Sequence, residues 1–139
     1  VYRVTKKLSF CYGHRLMNHA GKCRHLHGHS ARVAITLESE DLNEQGMVCD
    51  FSDIKTFAGQ WIQETLDHTM LLHQDDPVLP MLQEAGERIM VVAEHPTAEF
   101  LAKLIYEHVD KGGFPVKAVT VWESDTSSAT YTASDATHR

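Results

Sequence analysis

From His27 onward apolar and polar residues alternate strictly: Ala31, Val33, Ile35 and Leu37 fall on one side, Arg32, Thr36 and Glu38 on the other. A period of two marks a half-buried strand. Residues 2–12 mix β-branched, aromatic and polar side chains and predict an earlier strand, with residues 13–26 as the loop between the two. Asp41, Asn43 and Gly46 predict a turn, after which residues 47–51 read as a short return strand closing a hairpin. The period then changes. Ile54, Phe57, Ala58, Trp61, Ile62 and Leu66 recur at helical spacing behind a Ser52 cap, and this helix ends near Asp67-His68. Asp76-Pro77 reads as the N-cap and first turn of a short helix that stops at Gly86, and residues 89–93 as a brief apolar strand. Thr97 caps a second long helix with Leu101, Leu104, Ile105 and either His108 or Val109 on its inner face, ended by Gly112-Gly113. Residues 116–122 and 129–133 predict a closing antiparallel pair.

Strands, a helix, a second helix and strands again predict an α+β fold, an antiparallel sheet with helices on one face, as a single domain over 1–139. Such a sheet leaves edge strands, so edge-to-edge assembly is expected. With 42% hydrophobic and 23% charged residues the chain has the make-up of an ordinary globular domain. No apolar run approaches the roughly 18 residues of a membrane span, and Lys6-Lys7 precede no apolar signal core. Three cysteines (Cys11, Cys23, Cys49) form no disulfide framework and suit a reducing cytoplasm. A formal charge of −6 argues against a nucleic-acid binder and for no membrane partner, yet leaves room for a small anionic ligand near Arg15, Lys22 and Arg24.

Those basic residues belong to the densest chemistry in the chain. Residues 14–29 hold five of the ten histidines and one of the three cysteines. His27 and His29 are two apart at a strand start, so their side chains share a face. His14, at the end of the preceding strand, is a third donor if the two strands are neighbours. Three imidazoles with an open fourth position suit catalytic zinc, whereas structural zinc is usually closed by four ligands; iron, nickel or copper accept the same donors. A lone His-x-His among ten histidines is a weak signal, and the flanking His14 and Cys23 strengthen it. His19, His25, His73, His95, His108 and His138 lack such context and read as surface or satisfied polar residues. Cys11 and Cys49 read as small packing residues.

Lys22-Cys23, a gap of three residues, then His27-Gly28-His29 resembles the signature of the 6-pyruvoyl tetrahydropterin synthase family. Further matches follow in family order: Phe10 and His14, Asp50-Phe51, Leu66-Asp67-His68, Pro96-Thr97-Ala98-Glu99 with Leu101-Ala102, and Val121-Trp122-Glu123-Ser124. The resemblance covers nearly the whole chain. It implies the tunnelling fold, four antiparallel strands and two long helices per subunit, joined as a trimeric β-barrel, with two trimers stacking into a homo-hexamer. It implies Zn2+ held by His14, His27 and His29, and a pterin pocket at a subunit interface where Glu123 grips the ring, with Thr97 and Glu99 as further substrate contacts. It implies 7,8-dihydroneopterin triphosphate as substrate, Cys23 as proton acceptor, and His68 joining Cys23 in a relay across an interface with Asp67 orienting it.

Bare sequence reads several of these residues more plainly. Thr97 and Glu99 are an N-cap and a first-turn acid, and Glu123 is the end of an apolar strand. Asp67 and His68 are neighbours that would not face each other on a helix. Lys22, with Arg15 or Arg24, would meet the triphosphate that the resemblance implies, while a solvated loop face is the plain reading of either arginine; Lys22 and Arg24 would favour a Cys23 thiolate.

The chain departs from the family pattern in three places. Tyr12-Gly13 stands where two alanines usually precede the first zinc histidine, Leu72 replaces a common asparagine, and residues 73–95 form a longer stretch. The short Cys23-to-His27 gap resembles the bacterial 6-carboxytetrahydropterin synthase branch of queuosine biosynthesis, the biopterin branch having a longer one. The expected activity is therefore a lyase reaction releasing triphosphate and acetaldehyde and leaving 6-carboxytetrahydropterin. The alternatives are 6-pyruvoyl tetrahydropterin synthase or another pterin side-chain lyase, and a non-catalytic pterin- or metal-binding module.

Overall fold

The alternating stretch is the centre of a six-stranded mixed sheet. The computed structural model describes residues 1–134, so His138 lies outside the described residues. Strands β1 (Tyr2–His14), β2 (His27–Ser39), β3 (Thr69–His73), β4 (Ile89–Val92), β5 (Val116–Ser124) and β6 (Ser127–Tyr131) lie in the order β4-β3-β1-β2-β5-β6. The β1-β2-β5-β6 portion is antiparallel, as expected of the chain. The expectation of four strands is corrected by β3 and β4, which add to the end of β1 in parallel. In β3 both Leu71 and Leu72 are fully buried, so the alternation that reveals a half-exposed strand is missing. Parallel strands covered on both sides read this way.

The expected return strand at 47–51 does not form. Asn43 Oδ1 accepts the N–H groups of Gln45 and Met47 at 2.9 and 3.0 Å, and Asp50 Oδ1 accepts the Ser52 N–H at 2.8 Å. Local side-chain acceptors thus take the donors a ladder would need. The helix cap is Asp50, two residues before the expected Ser52. The helix itself runs as α1 (Phe51–Ile54), a π-helical segment (Lys55–Gly59) and α2 (Gln60–Thr65). Helix α4 (Ala98–Lys111) begins at Thr97, whose hydroxyl accepts the Phe100 N–H at 3.1 Å.

One core joins these elements. Val33, Ile35 and Leu37 of β2, Val119 and Val121 of β5, Ile54, Ala58, Ile62 and Leu66 of the first helix and Leu101, Ile105 and Val109 of α4 form a single buried cluster. Of the two residues expected on the inner face of α4, Val109 is the buried one. His108 stacks on Trp61 at 4.1 Å between ring centroids.

The short helix α3 (Leu79–Glu84) starts later than its Asp76-Pro77 signal, with Val78 at the cap. Asp76 is instead buried and bound bidentately by Arg15, through Nε at 2.8 Å and through Nη2, while accepting the Val78 N–H at 2.9 Å. Arg15 is thereby committed to the fold and not left free for a phosphate. These bonds, the Arg15 bond foremost, hold the Asp76 carboxyl below the usual carboxylate range against the opposing effect of burial. A carboxylate lowered in this way contributes stability that is complete above about pH 4, its unfolded value, and lost as pH falls through the lower folded value. Asp76→Ala is expected to cost on the order of 2 kcal/mol at neutral pH, less than the roughly 3–5 kcal/mol for breaking a fully buried pair, since the Arg15 head keeps 22% exposure. Urea midpoints of the two proteins check this, and their difference should shrink toward acid. Coincident midpoints at pH 7 would show that the pair contributes nothing.

Candidate functional site

Antiparallel register assembles the histidines. In the β1–β2 ladder His14 pairs with His27, Gly13 with Gly28 and Tyr12 with His29. Alternation then turns His14, His27 and His29 to the same side of the sheet. β1 therefore runs two residues further than the sequence predicted, because Gly13 and His14 are held in the ladder by Gly28 and His27. Gly28 is held to glycine by backbone: a Cβ there would stand 3.0 Å from the Tyr12 carbonyl oxygen, whereas one on Gly13 would mainly displace the flexible end of Met70, 2.7 Å away.

One ring nitrogen from each of the three histidines lies within 4.8 Å of the others. His14 Nδ1 donates to the Pro96 carbonyl at 2.6 Å and His27 Nδ1 donates to the His25 carbonyl at 2.7 Å. A carbonyl can only accept, so in both neutral rings the proton sits on Nδ1 and the lone pair on Nε2. Outer-shell carbonyls fix metal-ligating histidines in this manner. His14 and His29 Nε2 are 3.1 Å apart, close to the ~3.3 Å edge of a tetrahedron with Zn–N bonds of about 2.0 Å. Burial, reinforced by the neighbouring histidines, pushes the His14 imidazole below its usual range and so favours the neutral ligating form. The donor set fits a divalent cation such as zinc, with no fourth protein ligand required.

Glu123 borders this centre. One carboxylate oxygen is 3.6 Å from His29 Nε2, and the other accepts the Tyr12 hydroxyl at 3.4 Å. Tyr12 is buried and packs edge-on against His14 with centroids 5.0 Å apart. Burial first, and then the Glu123 charge, push its phenol far above the ordinary range. The bulk at position 12 thus lies beneath the centre and holds Glu123. The i, i+2 relation of Tyr12 to His14 carried that information in the sequence. Glu99 and Glu123 line a common cavity of about 390 Å³ with residues 127–130 of the edge strand β6. Thr97 is placed at the cap of α4, next to the Pro96 carbonyl that holds His14.

Asp67 and His68 form a direct pair, which helical spacing alone would not have produced. His68 Nδ1 donates to Asp67 Oδ2 at 2.7 Å. The helix has ended, and His68 has φ 55°, a left-handed conformation costing about 1 kcal/mol or more for a residue with a Cβ. Asp67 Oδ1 accepts the Cys11 N–H at 2.8 Å, and this bond, more than His68, keeps its carboxyl below the usual range. His68 lines a cavity of about 510 Å³ with Cys11, His27, His29 and Arg88. Cys11 is exposed there, which corrects its reading as a packing residue. Cys49 is half-buried against the core, as expected.

Cys23 sits half-buried in the 3-10 turn Lys22–Arg24, whose carbonyl at Cys23 accepts the Leu16 N–H at 2.8 Å. It is absent from the lining of the His68 cavity. Within one chain, then, the structure gathers His14, His27, His29, Glu123, Tyr12 and, on a neighbouring wall, Asp67-His68. Neither Cys23 nor the exposed Lys22 is among the residues of the His68 cavity or of the three-histidine cluster.

A mixed sheet backed by helices, with three convergent imidazoles at the end of its central strand pair and acids close by, defines an α+β protein with a candidate metal centre. Residues 3–134 match the family described as 6-pyruvoyl tetrahydropterin synthase, and the chain belongs to that family. A 6-carboxy-5,6,7,8-tetrahydropterin synthase of Rickettsia bellii is 37% identical over 102 residues, covering 72% of this chain and 74% of that one. An uncharacterized protein of Wolinella succinogenes superposes with a TM-score of 0.81 at 28% identity, covering 96% of this chain and 98% of its own. The 6-pyruvoyl tetrahydropterin synthase of Caenorhabditis elegans shares the fold with a TM-score of 0.72 at 21% identity, over 96% of each chain.

Proposed function

We propose that this chain is a zinc-dependent 6-carboxy-5,6,7,8-tetrahydropterin synthase. With one water consumed, it converts 7,8-dihydroneopterin triphosphate to 6-carboxytetrahydropterin with release of acetaldehyde and triphosphate. The observation that carries the reading is the register-built trio His14, His27 and His29 with Glu123 alongside, in a chain similar to a named synthase of that activity. Zinc at this centre would supply Lewis-acid polarisation of the substrate's side-chain oxygens.

The chain's own residues do the rest. Glu99 and Glu123, in their shared cavity, bind the pterin ring through its N–H groups, with the Thr97 hydroxyl at the same edge. Lys22 meets the triphosphate. Cys23, as thiolate, takes a proton from the side-chain carbon next to the polarised oxygen, and His68 returns a proton, its Nδ1–H held by Asp67. The absence of Cys23 from the His68 cavity of its own chain supports a relay completed between subunits, in a homo-hexamer made of two trimeric barrels. Nothing in the reaction calls for a membrane or a nucleic acid, and no helix among the described residues is long and apolar enough to cross a membrane. The cytoplasm, which keeps the thiol reduced, is the proposed location.

Incubating the zinc-loaded protein with 7,8-dihydroneopterin triphosphate and weighing the products tests the proposal. The expected products are 6-carboxytetrahydropterin and acetaldehyde. A pyruvoyl product without acetaldehyde would replace this reading with 6-pyruvoyl tetrahydropterin synthase, and absence of turnover would favour a binding module.

A further inference from the structure

We infer that Arg88 is a positioning residue for His68, and that the long stretch 73–95 serves the site by delivering it. The starting observation is the positive φ of His68, the one non-glycine residue with that conformation among the described residues. A strained backbone persists only where its surroundings over-determine it, and such residues gather at functional sites. Four groups over-determine this one. The His68 N–H donates to the Cys11 carbonyl at 2.6 Å, and the Asp67 carboxylate is tied to the Cys11 N–H and to His68 Nδ1. The Thr69 hydroxyl donates to the Asp67 carbonyl at 3.2 Å.

Arg88 supplies the remaining hold, and it does so from both ends. Its Nη2 donates to the carbonyls of Glu64 and Asp67, each at 3.3 Å, and to the Thr69 hydroxyl at 3.4 Å. Its own carbonyl accepts the Met70 N–H at 2.9 Å. One residue therefore spans the turn from the last carbonyls of α2 to the first donor of β3, with His68 between. The planar guanidinium lies where one nitrogen reaches all three oxygens, whereas a lysine carries its three donors on a single flexible stem and would hold the same oxygens less rigidly. β4 begins at the next residue and pairs with β3 from Met70↔Ile89 onward, so the 73–95 excursion returns Arg88 to this point in register. Its side chain also lines the cavity that His68 faces.

The catalytic part of this inference rests on the role proposed for His68; the structural part does not. Two readouts keep them apart. In Arg88→Ala, the His68 Nδ1–H signal in the NMR spectrum, held by Asp67 in the wild type, should shift and exchange faster at a temperature well below unfolding. Turnover should show kcat lowered roughly 10- to 100-fold, the range a small misplacement of a reacting group produces, with KM nearly unchanged. Arg88→Lys should recover part of both effects, and Glu84→Gln, an exposed residue of the same excursion outside that cavity, should change neither. An unaltered His68 signal in folded Arg88→Ala would overturn the positioning role, whatever the activity. A lower melting temperature with kcat intact would overturn it as well. If His68→Ala itself turns over normally, the functional reading of His68 fails while the NMR arm still decides whether Arg88 positions it.

Discussion

His27→Ala is expected to leave the purified protein almost without zinc and without turnover, while the fold survives. The three imidazoles are held together by the β1–β2 register, and no fourth protein donor stands ready among the described residues, since the candidate cluster consists of these three alone. Two imidazoles cannot close a tetrahedral site. Loss of an outer-shell partner alone typically costs 10- to 100-fold in metal affinity, so loss of a ligand should exceed about 100-fold. His27 is half-buried and its side chain is not part of the hydrophobic cluster, so thermal melting should move little in the metal-free comparison. Metal analysis by mass spectrometry and a melt of the chelated wild type are the two measurements. Full zinc occupancy in His27→Ala would remove this trio as the metal centre. His14→Ala is the poorer test, because His14 is buried and bonded to Pro96, so its loss would confound folding with binding.

The second large effect is expected at Cys23. Cys23→Ala should keep zinc and fold yet lose activity by about 10²- to 10⁴-fold, the contribution of a positioned acid or base. Cys11→Ala is the informative partner. Cys11, unlike Cys23, opens into the His68 cavity of its own chain, so it is the thiol that geometry within one chain would choose. Its backbone, not its sulfur, holds Asp67 and His68, so removing the sulfur should lower kcat by less than a few-fold. Single-turnover rates for both variants decide between them. A silent Cys23→Ala beside an inactive Cys11→Ala would move the proposed base to Cys11 and abolish the need for a relay between subunits.

Much of this was legible along the chain for a definite reason. A strand buried on one side writes its period into the residues, and β2 did so through Ala31, Val33, Ile35 and Leu37, each of which is buried. The helix stripes of Ile54 to Leu66 and of Leu101 to Val109 were legible in the same way, because their inner faces meet one core. β3 was not, because Leu71 and Leu72 are both covered and the run is five residues long. The stretch at 47–51 looked like a strand by composition, yet Asn43 and Asp50 spend its neighbourhood on local turns. Arg15 read as a free cation because its partner, Asp76, is 61 residues away and itself resembled a helix cap.

Local spacing alone carried the α+β class, the antiparallel centre of the sheet and the shared face of His27 and His29, with His14 as a third donor if the two strands paired. His27 and His29 share a face by the period of a strand, and His14 ends the strand before. Tertiary structure decided what spacing cannot express. It set the register that places His14 opposite His27, and the carbonyls of Pro96 and His25 that orient two of the rings. It brought Glu123 beneath His29 through Tyr12, and it bent the chain at His68 into a conformation no helix or strand pattern announces. Each of these depends on groups far apart along the chain, whose meeting is fixed by which strands pair and which backbone groups remain to be satisfied.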